Sequence, residues 1–169
     1  MRRISDDFLL NMAEVTSTLI GLFLVGVFFY VESGLHRRDQ GRVISAPHLR
    51  AGTRITLIVL AIPLGLSLAL VALEPFWARL LFAVLSLLLV VANVDSIVRI
   101  RGVRSIALIV NEWVATGLAV LVVVLPWALG GLHPTREDLT WAILLSFAAG
   151  LLSIAAIVMS AFDVPADEG

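Results

Sequence analysis

A chain of 169 residues that is 60% hydrophobic and only 15% charged is not composed for water; soluble domains sit nearer half apolar and a quarter charged. Its formal net charge of −1 is neutral on the question of nucleic acid. No basic domain or nucleic-acid motif is present, so no nucleic-acid partner is expected. Cysteine is absent, which excludes disulfides, thiolate zinc sites and cysteine nucleophiles. Every basic residue is Arg, a usage that fits the codon bias of a GC-rich genome.

The chain begins with Arg2-Arg3, then Ser5 as a helix N-cap with Asp6 and Asp7 in the first turn. Negative charge there meets the positive end of the helix dipole. The apolar run that follows, about 8–31, is longer than the ~7–15 residues of a signal-peptide core, and no A-x-A site ends it. It reads as a retained membrane span. Inside it sits an acid, Glu14. At ~100° per residue Asn11, Glu14, Thr18, Gly21 and Val25 share one face, while Thr16 points the other way. A carboxylate in a span needs a partner, a water-filled space or a proton, which makes Glu14 the first functional candidate.

Residues 32–54 interrupt the apolar pattern with Arg37, Arg38, Arg42, Arg50 and Arg54. This basic loop orients the chain by the positive-inside rule and offers contacts to anionic lipid headgroups. Pro47 is placed to open the next helix. The second span, about 55–73, carries a small-residue ridge at Ala61, Gly65, Ala69 and Ala72 that favours close helix packing in lipid. Pro63 interrupts its hydrogen-bond ladder. Glu74-Pro75 makes a tight hairpin to the third span, about 76–98. That span ends in Asn93, Asp95, Ser96 and Arg99, where the acid-first, one-turn spacing of Asp95 and Arg99 predicts a local ion pair. A basic turn with Arg99, Arg101 and Arg104 follows.

The fourth span, about 105–129, holds Asn111 and Glu112 in its second turn and Thr116 one turn on. Glu112 with Thr116 echoes Glu14 with Thr18, a match too short to establish a repeat. Thr135 with Asp138 forms a capping-box pattern that starts the fifth helix. Its span, about 139–161, carries Ala142, Ser146, Ala149, Gly150 and Ser153 on one stripe, a packing face for the bundle or for an oligomer. The tail 162–169 is acidic.

The expected fold is therefore all-α: a single polytopic membrane domain, a bundle of about five transmembrane helices. Arg residues number eight in loops 32–54 and 99–104 against four on the other side. That bias places the N-terminus outside and the C-terminus in the cytoplasm of a cell-membrane protein.

Glu14, with Asn11 and Thr18, forms one acidic layer. Asp95, Glu112 and Thr116, within reach of Arg99 and Arg104, form another near the opposite face. Two such layers suit a proton or cation path in a homo-oligomeric channel or carrier. They equally suit polar clamps in a non-catalytic accessory or scaffold subunit that binds a second copy or another membrane protein. His36, His48 and His133 are isolated and lack metal-ligand spacing, so no metal or cofactor is expected. With no phosphate loop and no nucleophile elbow, an enzyme is disfavoured.

Overall fold

A computed structural model describes residues 4–38, 46–100, 106–131 and 133–162. Its elements are five helices: α1 (Asp6–Arg38), α2 (Ala46–Ala72), α3 (Pro75–Ile100), α4 (Ile106–Gly130) and α5 (Arg136–Phe162). Among the described residues there is no strand. An all-helical bundle suits lipid, because each helix satisfies its own backbone hydrogen bonds.

Four stretches are long and apolar enough to cross a membrane: Asp6–Phe29, Thr53–Ala72, Pro75–Val94 and Arg136–Ala155. The side chains described in α4 form a shorter apolar stretch, Gly117–Gly130. Its backbone helix has 25 residues, about 37 Å at the standard rise and sufficient to span. The outward surfaces are dominated by Leu, Val and Phe, among them Leu22, Phe28, Leu87 and Leu152. A continuous apolar surface of this kind is stable against lipid and not against water.

Helix starts follow local chemistry. The Ser5 hydroxyl accepts a hydrogen bond from the Phe8 amide at 3.2 Å, and Pro47 is the second residue of α2, where a missing N–H costs nothing. Asp138 accepts from the Thr135 amide and hydroxyl, both at 2.8 Å, closing the capping box of α5. One boundary differs from expectation. Helix α1 continues past the apolar run to Arg38, while α2 opens beside Pro47 as read, so the basic segment 32–54 is helical at both ends. An uninterrupted helix keeps its backbone bonded as it enters the headgroup layer, whatever its side chains.

Helices α2, α3, α4 and α5 close a ring in which each packs on the next, with α2 also against α5. Helix α1 lies outside that ring and leans chiefly on α2. The α2–α3 turn, the α4–α5 turn and the start of α1 share one end of the bundle. Arg136 pairs there with Asp6, and Arg79 Nε donates to the Pro134 carbonyl at 3.1 Å. Alternate helices therefore run in opposite directions, and α1, α3 and α5 all start at this end.

In lipid the hydrophobic effect does not drive helices together; close packing and interhelical hydrogen bonds do. The core is built from Leu9, Ile62, Leu66, Phe82, Leu89, Val122 and Ile143, with Phe82 stacked on Trp127 at 6.1 Å between ring centroids. The Thr56 and Ser153 hydroxyls bond at 2.6 Å across the α2–α5 seam. Pro63 is fully buried in the middle of α2 and leaves the Val59 carbonyl without its helical donor.

Candidate functional site

Helix α1 has two faces, both spaced by threes and fours. Leu9, Ala13, Thr16 and Phe23 are buried against the bundle. Thr16 turns inward with its hydroxyl donating to the Met12 carbonyl at 2.6 Å, so it enters the interior without an unpaired donor. Asn11, Glu14, Thr18, Gly21 and Val25 are all exposed on the opposite side. The polar stripe read from the sequence thus faces away from the chain's own core.

The hydroxyls beside Glu14 are already engaged. Ser17 Oγ and Thr18 Oγ1 donate to the Glu14 backbone carbonyl at 2.8 Å and 3.0 Å. They serve the main chain rather than the carboxylate. Among the described residues the Glu14 side chain makes no hydrogen bond or ion pair. It lies six residues beyond Phe8, about 9 Å along the helix, too deep for so short a side chain to reach the headgroups easily. A carboxylate and an amide, one turn apart on an exposed helix face, form a donor–acceptor pair open to a neighbouring helix. A β-carbon built on Gly21 meets nothing within 4 Å, so that face stays open further down.

The second acidic layer falls outside the described side chains. Asp95 lies near the end of α3, and Glu112 and Thr116 lie in the early turns of α4. Their helices place them toward the end of the bundle opposite Glu14. The side chains of Arg99, Arg37, Arg38 and Arg50, and the whole of Arg42 and Arg104, also lie outside the described residues. Arg54 is described and exposed in α2.

The small residues of α5 are used within the chain. Ser146 and Gly150 are buried, and Gly150 lies beneath the Leu60 side chain of α2. Ser153 is the partner of Thr56. Ser146 Oγ donates to the Ala142 carbonyl at 2.6 Å. On α2, Ala69 is buried, and a β-carbon on Gly65 would meet the leucine tips of Leu81 and Leu85 at 3.6 Å. Side chains from α3 therefore fill the groove at Gly65.

The clamp at the shared helix-start end was not read from the sequence. Its signal was there: Arg136 is the first residue of α5 and Arg79 lies near the start of α3. A cation is unfavourable at the positive end of a helix dipole and implies a partner. Those partners are Asp6 and the Pro134 carbonyl. The hydroxyls of Ser67 and Ser86 are buried without a hydrogen-bond partner among the described residues, a feature the sequence does not show. Serine is common in spanning helices, and the sequence does not show whether it bonds its own backbone.

Among the described residues no three His, Cys, Asp or Glu side chains gather in a way that could hold a metal ion. Comparison with known families, curated proteins and solved structures finds no match for the chain. The class the fold defines is a membrane-type α-helical bundle whose peripheral first helix turns a polar face outward.

Proposed function

We propose that the chain is a non-catalytic accessory or scaffold subunit that binds another membrane helix through the outward face of α1. One observation carries this reading: Glu14 stands on the outside of the bundle, within the spanning part of α1, and among the described residues its side chain has no partner. A carboxylate in contact with lipid costs about 2.5–3.5 kcal/mol at mid-span on insertion scales. A docked helix that supplies a donor removes much of that cost. The protein sits in the cell membrane with its N-terminus outside, a reading supported by the concentration of arginine in segments 32–54 and 99–104 of the sequence.

The test is co-purification from native membranes in mild detergent. Wild-type chain should bring down a stoichiometric membrane protein, a second copy included, and Glu14→Ala or Thr18→Leu should release it. Unchanged recovery with both variants would count against docking through α1. Cysteine-free as it is, the chain also allows single cysteines at residues 5 and 165 to report sidedness to an impermeant thiol reagent.

A second reading is a homo-oligomeric proton or cation conductor, with Glu14 as the titrating group. The acid's depth in the span favours it. Against it, the outward face past Thr18 continues as Gly21, Val25 and Phe28, which offers a moving ion nothing polar. Reconstituted liposomes should show flux that Glu14→Gln removes; absence of wild-type flux at every pH tested would end this reading.

A further inference from the structure

The outward face of α1 repeats on a heptad: Asn11, Glu14, Thr18, Gly21 and Val25 are spaced three, four, three and four, and all five are exposed. That spacing makes one continuous seam on a helix that packs against a parallel neighbour. Two copies related by an axis along the membrane normal bring their α1 helices together in parallel, so the seam meets itself. Asn11 and Glu14 then occupy successive layers, about 4.5 Å apart along the helix. The Asn11 amide is a donor and the Glu14 carboxylate an acceptor. In a two-fold pair each reaches the other's counterpart, the reciprocal pattern of an isologous interface.

Among the described residues the rest of the surface offers no equal match. In the half of the bundle that holds Glu14, the described outward residues beyond the end turns of the other helices are apolar apart from the Trp141 indole on α5. They include Leu68 on α2, Leu80 and Val84 on α3, Val124 on α4 and Leu144 on α5. Among the described residues at this depth, Asn11 is the donor that shares a helix face with a carboxylate, so α1 is the helix that can pair reciprocally with its own copy.

We propose that two copies of this chain pair in the membrane through parallel α1 helices, the Asn11 amide of each donating to the Glu14 carboxylate of the other. This rests on the reading that α1 docks in the membrane, and it names the partner.

Full-length single-cysteine variants in phosphatidylethanolamine–phosphatidylglycerol vesicles test it. Thr18→Cys, Gly21→Cys and Val25→Cys lie on the seam. Val15→Cys and Leu24→Cys, at sites 52% and 45% exposed, lie about a quarter turn to either side. A disulfide needs α-carbons within about 7 Å, so mild oxidation should give dimers several-fold faster at the seam positions. Equal rates at seam and control positions overturn the pairing. In the cysteine-free chain, Asn11→Glu should weaken the dimer about tenfold, the size of two interhelical hydrogen bonds in lipid. Adding Glu14→Asn exchanges donor and acceptor and should restore it; a double variant no better than Asn11→Glu overturns the reciprocal bond. If the seam cysteines fail while Glu14→Ala still releases a different membrane protein, the partner is foreign and self-pairing is overturned. If Glu14→Ala changes neither readout, the docking reading falls as well.

Discussion

Leu60 of α2 lies directly over Gly150 of α5, so close that a β-carbon on Gly150 would stand 2.9 Å from the Leu60 Cγ. Leu60 is fully buried and cannot swing into open space. Gly150→Ala gains roughly 1 kcal/mol of helix propensity but forces the α2–α5 seam apart, and overpacking costs about 1–3 kcal/mol. The expected result is a net loss of stability, larger for Gly150→Val, seen as a lower unfolding midpoint in detergent. Leu60→Ala combined with Gly150→Ala should recover part of the overpacking term. An unchanged midpoint in Gly150→Val would mean that the two helices do not meet here.

One turn away, the Thr56–Ser153 hydrogen bond closes the same seam at 2.6 Å. Interhelical bonds of this kind average about 0.6 kcal/mol in lipid and reach about 1.7. A double-mutant cycle of Thr56→Val and Ser153→Ala isolates the pair from the rest of the seam. The expected coupling is about 0.5–1.5 kcal/mol in steric-trap or denaturant unfolding. Additive single effects would show that the hydroxyls act on their own backbones instead.

Two glycines constrain the described part of the α4–α5 turn. Gly131 has a φ of +60°, and a β-carbon on Gly130 would stand 2.6 Å from the Asp138 carboxylate. That carboxylate caps α5 by accepting from the Thr135 amide and hydroxyl. Gly131→Ala should cost about 1 kcal/mol for the left-handed backbone. Asp138→Ala should cost a similar amount by uncapping α5. Gly131→Asn should be milder, because Asn tolerates that conformation. Thermal unfolding of the three variants checks the order; equal midpoints for Gly131→Ala and wild type would contradict the turn geometry.

The five helices were legible because each apolar run is bounded by Gly, Pro or charge, and the caps at Ser5 and Thr135 follow from side-chain chemistry alone. What lay beyond reading was direction. Asn11, Glu14 and Thr18 form one face of α1, and Leu9, Ala13 and Thr16 another of the same period. In water, polarity would decide which turns inward. In lipid there is no such gradient, and fit to the neighbours decides instead. The small residues of α5 posed the same ambiguity until Leu60 and Thr56 were placed against them. The extension of α1 to Arg38 was hidden for a different reason, since loss of hydrophobicity marks the end of the bilayer core and not the end of the helix.

Glu14 and Arg79 make the sharpest contrast between assembly and folding. Arg79 joins α3 to the α4–α5 turn through the Pro134 carbonyl at 3.1 Å, in a partly buried position. Arg79→Met keeps the stem, removes the donor and leaves that carbonyl unserved, at a cost of about 1–3 kcal/mol. The Glu14 carboxylate meets no polar side chain among the described residues, so Glu14→Leu should leave the unfolding free energy of the dilute monomer within about 0.5 kcal/mol of wild type. Measured at high protein-to-lipid ratio, where copies meet, the same variant should lose association while Arg79→Met keeps it. A drop of more than about 1 kcal/mol for Glu14→Leu in the dilute monomer would place a partner for the carboxylate inside the chain, against the outward seam.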